Sequence, residues 1–176
     1  MVDARNTSAM RAGLSTKGVV FMHCCPSALA PHVEWALAGV LGRPVRLEWT
    51  AQPATPPHLR AEATWVAPVG TAARLAASLR AWPMLVFEIT EEPTSGSDGE
   101  RLAYVPGRGF HRSMVSASGD VVVGEERLRG LMERSRTVDE FRHGMDEVLG
   151  TAWDVELEPY RHAGDGAAVT LLHQVG

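Results

Sequence analysis

The chain has 176 residues, 45% of them hydrophobic, enough for one ordinary domain to bury a core without disulfide or metal staples. A net charge of −4 and a pI near 6.0 supply no overall positive field to gather nucleic acid or anionic lipid. Two adjacent cysteines are too few for a secreted disulfide framework, and no run approaches the roughly 18 apolar residues of a membrane helix.

Residues 1–16, "MVDARNTSAMRAGLST", hold no continuous apolar segment, and Asp3 and Arg5 sit where a signal peptide would build one. They are expected to form a disordered tail on a cytoplasmic protein. Sixteen of the seventeen basic residues are Arg, with Lys17 the lone lysine, a composition typical of GC-rich coding.

"GVVFMH" (Gly18–His23) is a short apolar run that predicts a buried strand. Pro31 suits the first turn of a helix whose stripe is Val33, Ala36, Leu37, Val40 and Leu41, with Gly42 as its stop. "PVRLEWTA" alternates, with Val45, Leu47 and Trp49 set against Arg46, Glu48 and Thr50. After the loop "QPATPPH", Leu59, Ala61, Ala63 and Trp65 alternate with Arg60, Glu62 and Thr64. These two ribbons predict an antiparallel pair with one polar face and cross-strand Arg–Glu contacts. "GTAARLAASLRAW" places Ala72, Leu75, Ala76 and Leu79 on one helical stripe, and "MLVFEITEE" returns as a strand. The order over residues 17–92 is therefore βαββαβ, the ferredoxin-like split βαβ pattern.

"PTSGSDGE" is a turn, and a second α+β half over residues 93–176 follows, expected to continue the same globular domain. "RLAYVP" and "FHRSMVSAS" read as strands, "SGD" turns into "VVV", and "EERLRGLMER" reads as a helix. A further helix opens at Thr137 with Glu140 placed for a capping box; Phe141, Met145, Val148 and Leu149 form its stripe, and Gly150 ends it. In "WDVELEPYRH", Asp154, Glu156 and Glu158 alternate with Val155 and Leu157 between Trp153 and Tyr160. That period of two predicts a short strand with a charged outer face. "AVTLLHQV" reads as a closing strand.

The most chemical-looking stretch is His23-Cys24-Cys25, with His32 and Glu34 just beyond it. A tetrahedral metal needs ligands converging on one point, and neighbouring residues on extended backbone point apart, so no metal site is assigned. A thiolate nucleophile at Cys24 or Cys25, with His23 as base, is the rival reading, since a helix amino end favours thiolate. Two buried apolar plugs between strand and helix is the preferred one. "CCPSALAP" lacks the glycines of the standard nucleotide loops. Arg108, His111 and Arg112 in "GRGFHRSM" form a candidate docking place for a carboxylate or phosphate, and His32 and Glu34 a second polar binding candidate. Glu88, Glu91, Glu92, Asp98 and Glu100 gather near the turn and read as a solvated strand end. Trp49 and Trp65 fall on the core face, so a base-stacking sheet is not expected.

"GVVFMHCCPSALAPHVEWALAGVLGRPVRLEWT", "ITEEPTSGSDGERLAYVPGRGFH", "AWDVELEPYRHAG" and the terminal "LLHQVG" resemble the actinobacterial domain-of-unknown-function family 3145, over residues 17–176. The resemblance implies a bacterial cytoplasmic protein and brings no activity, cofactor or catalytic residue. The expectation is an α+β protein, ferredoxin-like in its first half. It is read as a non-catalytic binding or regulatory module that self-associates or meets a protein partner, with no nucleic acid, membrane or cofactor. The alternative is a small-molecule-binding protein or enzyme with a Cys/His site after the first strand.

Overall fold

The structure is a computed structural model describing residues 14–163 and 169–172. Of the expected tail only Leu14, Ser15 and Thr16 fall inside that range, and the last two already belong to the first strand. This strand, β1, runs Ser15–Cys25, longer than its apolar run. Its alternation sends Val20 and Met22 to one side of a sheet and Val19 and Phe21 to the other. The antiparallel strands β3 (Leu59–Pro68) and β4 (Val86–Glu91) flank it.

On the far edge of β3 lie the two-residue antiparallel β2 (Thr50–Ala51) and the parallel β8 (Val169–Leu172). Beyond β4 the sheet continues antiparallel through β5 (Gly99–Val105), β6 (Gly109–Val115) and the short β7 (Val121–Val122). Strand order is β2-β3-β1-β4-β5-β6-β7, so one open sheet runs through both halves of the chain. The protein is α+β.

Helix α1 (Ala30–Leu41) follows a 3₁₀ turn at Ser27–Leu29, and α2 (Thr71–Leu79) follows β3. Both cover the first face. Their apolar stripes, Val33 and Leu37 with Leu75 and Leu79, meet Val20, Met22, Trp65, Phe87 and Ile89 in one core. The stripe on α2 is buried as its spacing predicts, and Gly42 closes α1 in the left-handed conformation. Gly18 stands opposite Trp65, where an added Cβ would fall 2.5 Å from the indole ring and closer still to the Thr90 carbonyl. The strand needs glycine there so that the largest core side chain can cross it.

The second face is served by α3 (Glu125–Arg134), α4 (Val138–Leu149) and α5 (Thr151–His162). The α5 helix lies on β1 and β5, α4 packs against α5, and α3 against α4. Thr137 caps α4 by accepting from the Glu140 N–H at 3.2 Å, while the Glu140 carboxylate reaches back one residue further than expected, to the Arg136 N–H.

Three expectations are corrected. Residues 44–49 alternate in burial, with Val45 and Leu47 inside, but join no ladder; only Thr50 and Ala51 pair with β3. Glu34 of α1 holds that segment instead, accepting from the Leu47 N–H at 2.9 Å, Arg46 at 2.7 Å and the Trp49 indole at 3.2 Å. "WDVELEPYRH" is helical, not extended, because its sheet-facing residues recur at 153, 157 and 160. The acids near the turn are not a solvated end, since Glu88, Glu91 and Glu100 are all buried.

Candidate functional site

A register shift in β1 between Met22 and Cys24 organises the second face. Such a bulge sets two successive residues on one side of a strand. His23 and Cys24 therefore both meet the second face, while Cys25 turns into the core of the first. The bulge removes the His23 carbonyl from the ladder, and the buried side chain of Gln52 donates to it at 2.6 Å. The carbonyl that the shift frees is thus satisfied by a residue 29 positions away.

Glu88, 5% exposed, stands beside His23 and receives more partners than any other carboxylate in this region. His23 Nε2 lies 2.7 Å from Glu88 Oε2. Arg101 of β5 donates through Nε to Oε1 at 2.7 Å, and Arg161 of α5 donates to both oxygens at 2.9 and 2.7 Å. Asp154, one α5 repeat earlier, accepts from Arg101 at 2.6 Å and Arg161 at 2.9 Å. Two guanidinium groups and two carboxylates thus close a neutral cluster between sheet and helix. Burial by itself would raise the Glu88 carboxyl. The hydrogen bonds from His23 and Arg161 and the charge of Arg101 outweigh it, so Glu88 stays ionised far below the usual carboxylate range.

The cluster is flanked by apolar packing. Leu157, fully buried, seats among Cys24, Val86, Ala103 and Val105. Trp153 donates its indole N–H to the Gly109 carbonyl at 2.9 Å and packs on His111, ring centres 4.9 Å apart. Burial, together with Arg101 and Arg127 and against the pull of Asp154, lowers the pKa of His111.

The residues singled out from sequence are dispersed by this arrangement. Burial raises the Cys24 thiol; burial and the neighbouring Cys24 push Cys25 up to about 12. Both are therefore thiols, not thiolates, at neutral pH. His32 packs on Trp82 on the first face, and Glu34 is occupied with residues 46–49. Arg108 pairs with Glu156 at 2.7 Å and lies over the Trp153 ring, Arg112 pairs with Glu100, and His111 faces the opposite side of the sheet from Arg112. Among the described residues no three His, Cys, Asp or Glu side chains stand in a metal-holding group. Glu88, Arg101, Asp154 and Arg161 were missed as a set. Their one legible signal is the seven-residue interval between Asp154 and Arg161, two helical turns, which the alternating acids obscured.

Two clefts open beside this layer. The larger, about 770 Å³, lies where β4, β5 and β6 meet the start of α3; Glu91, Glu100, Arg112, Ser113 and Arg127 contribute to its wall. Glu91 accepts from the Gly70 and Ala72 N–H groups at 2.7 and 2.9 Å, closing the amino end of α2. The second cleft, about 530 Å³, is lined by Cys24, His58, Met84 and Tyr160.

The molecule is thus an α+β protein built on a large open, mainly antiparallel sheet with helices on both faces and an ionic cluster around the buried Glu88 between sheet and helix. The chain belongs to the family described as "Protein of unknown function (DUF3145)", whose model matches residues 19–174. No curated protein and no solved structure matches the chain.

Proposed function

We propose that this chain is a non-catalytic binding module that receives its ligand in the larger cleft, on a first half of the ferredoxin-like split βαβ type. The order β2-β3-β1-β4, antiparallel at each step, with two helices over one face, supports the fold reading. The observation that carries the binding reading is the cleft itself. Its volume of about 770 Å³ falls in the range of small-molecule sites. The groups that do converge, around Glu88, neutralise one another and leave no acid, base or nucleophile poised for substrate.

Self-association belongs to the same reading. Among the described residues Phe110–Ser113 pair with β5 on one side, while β7 pairs Met114 and Val115, which leaves a short stretch of sheet edge for a second copy. The rival reading, a Cys/His site after β1, is favoured by one observation: Cys24 lines the smaller cleft beside His58.

Native mass spectrometry of gently purified protein separates the two. A bound small mass that survives Cys24→Ala and disappears with Met114→Trp, which fills the larger cleft, supports the module. Iodoacetamide labelling of Cys24 in folded protein as fast as free cysteine, with loss of the bound mass, moves the function to the thiol.

A further inference from the structure

The larger cleft lies beside the point where the chain enters the sheet. Leu14, the first residue the structure describes, precedes β1, and its carbonyl accepts from the Val69 N–H at 2.9 Å. On its other side it meets the turn between β4 and β5, where a Cβ added to Gly96 would fall 3.3 Å from Leu14 Cδ1. Val69, Gly70, Ser97 and Asp98 all line the cleft, so Leu14 is held between two stretches of its wall. Residues 1–13 are therefore joined to the sheet at the rim of the cleft.

The wall carries four acids, Glu91, Asp98, Glu100 and Glu126, against two arginines, Arg112 and Arg127. Their commitments differ. Glu91 accepts from two backbone N–H groups, and Arg112 pairs with Glu100. Asp98 and Glu126 are exposed and, among the described residues, hold no ion pair. Met114 and Val122 are exposed along the same wall. The matching occupant is a net basic segment with an apolar side chain between its charges. "MVDARNTSAMRAG", residues 1–13, has Arg5 and Arg11 against the single acid Asp3, with Met10 between the two arginines. At roughly 3.3–3.6 Å per extended residue, Arg11 reaches about 10 Å from Leu14 and Arg5 about 30 Å.

We propose that residues 1–13 fold back into this cleft, Arg11 against Asp98, Arg5 against Glu126 and Met10 on Met114 and Val122. The chain thus supplies an occupant for its own cleft. Two exposed ion pairs and one apolar contact are too weak to hold a free peptide, but a short tether makes the contact intramolecular at high effective concentration. A small molecule entering the cleft has to displace the segment. The docking itself does not depend on the cleft's taking a small molecule.

A nitroxide on Ser8→Cys in the otherwise intact chain tests the docking, with brief labelling that spares the buried Cys24 and Cys25 and wild-type protein as the control. In dilute protein the label should broaden the amide signals of Met114, Val122 and Arg127. Asp98→Asn with Glu126→Gln, both at exposed positions, should weaken that broadening about twofold or more, the scale of two exposed ion pairs. Arg5→Gln with Arg11→Gln should do the same. Broadening confined to Gly96 and Ser97, beside Leu14, overturns the proposal. So does broadening that neither pair of substitutions changes. Broadening of isotope-labelled protein by a separate spin-labelled copy, equal to that within one chain, overturns it in favour of a second molecule. A bound small mass lost in Met114→Trp, with the segment outside the cleft, also sinks this docking while the binding module stands.

Discussion

Glu88 shows how one residue can hold two elements together. Glu88→Gln keeps the shape but leaves Arg101 and Arg161 against a neutral amide in a buried site. Losing one member of a buried ionic cluster costs about 3–5 kcal/mol, read as a lower urea midpoint. The double change Glu88→Met with Arg161→Met should cost less than the sum of the two single changes, because neither charge is then stranded. Glu100 has the opposite sign. Burial and the facing Glu91 raise its carboxyl above the usual range, against the pull of Arg112. Its folded pKa exceeds the unfolded one, so its contribution is present at low pH and lost as pH rises. Glu100→Gln should therefore leave stability at neutral pH unchanged or higher, measured by the same unfolding curve.

At the scale of the element, α5 is set by its junction and its stripe. Gly150 ends α4 and opens α5 at φ 78°, and a Cβ there would fall 2.4 Å from the His111 ring. Gly150→Ala meets both the left-handed conformation and the ring, and should cost about 1–3 kcal/mol with loss of the Trp153–His111 packing. Near-ultraviolet circular dichroism of Trp153 would report it. Leu157→Ala empties the centre of the second-face cluster and should cost about 2–5 kcal/mol. Segment 44–49 is the contrasting case. It has strand periodicity without a strand partner, and Glu34 satisfies part of its backbone and side-chain donors instead of a ladder.

Across the molecule, these groups set the response to acid. Glu88 and Asp154 have folded pKa values below their unfolded ones, so their contribution is present above about pH 4 and is lost as pH falls through the folded values. His111 is also lowered, which adds a loss that begins as pH drops below about 6.5. Raised Glu100 partly offsets these losses. Urea midpoints should therefore decline from neutral pH to pH 3, and Glu88→Gln should flatten the acid limb. An unchanged slope in that variant would dissociate Glu88 from acid unfolding.

Much of the architecture was legible because it is written in local period. The stripe of α2, the glycine stop of α1, the cap of α4 and the alternation of β3 each depend on neighbours within a few residues. The candidate site was not legible for the converse reason. His23, Glu88, Arg101 and Arg161 come from β1, β4, β5 and α5, and no local pattern encodes their meeting. The His23-Cys24-Cys25 cluster looked like one site in sequence, yet a bulge sends Cys25 to one face and its two neighbours to the other. By itself the sequence determined an α+β chain, most of its helices and strands, and the apolar stripes that bury them. Only the tertiary structure decided which charges are paired, which thiols are sealed and where a cleft remains, because burial and charge compensation depend on groups brought together from distant parts of the chain.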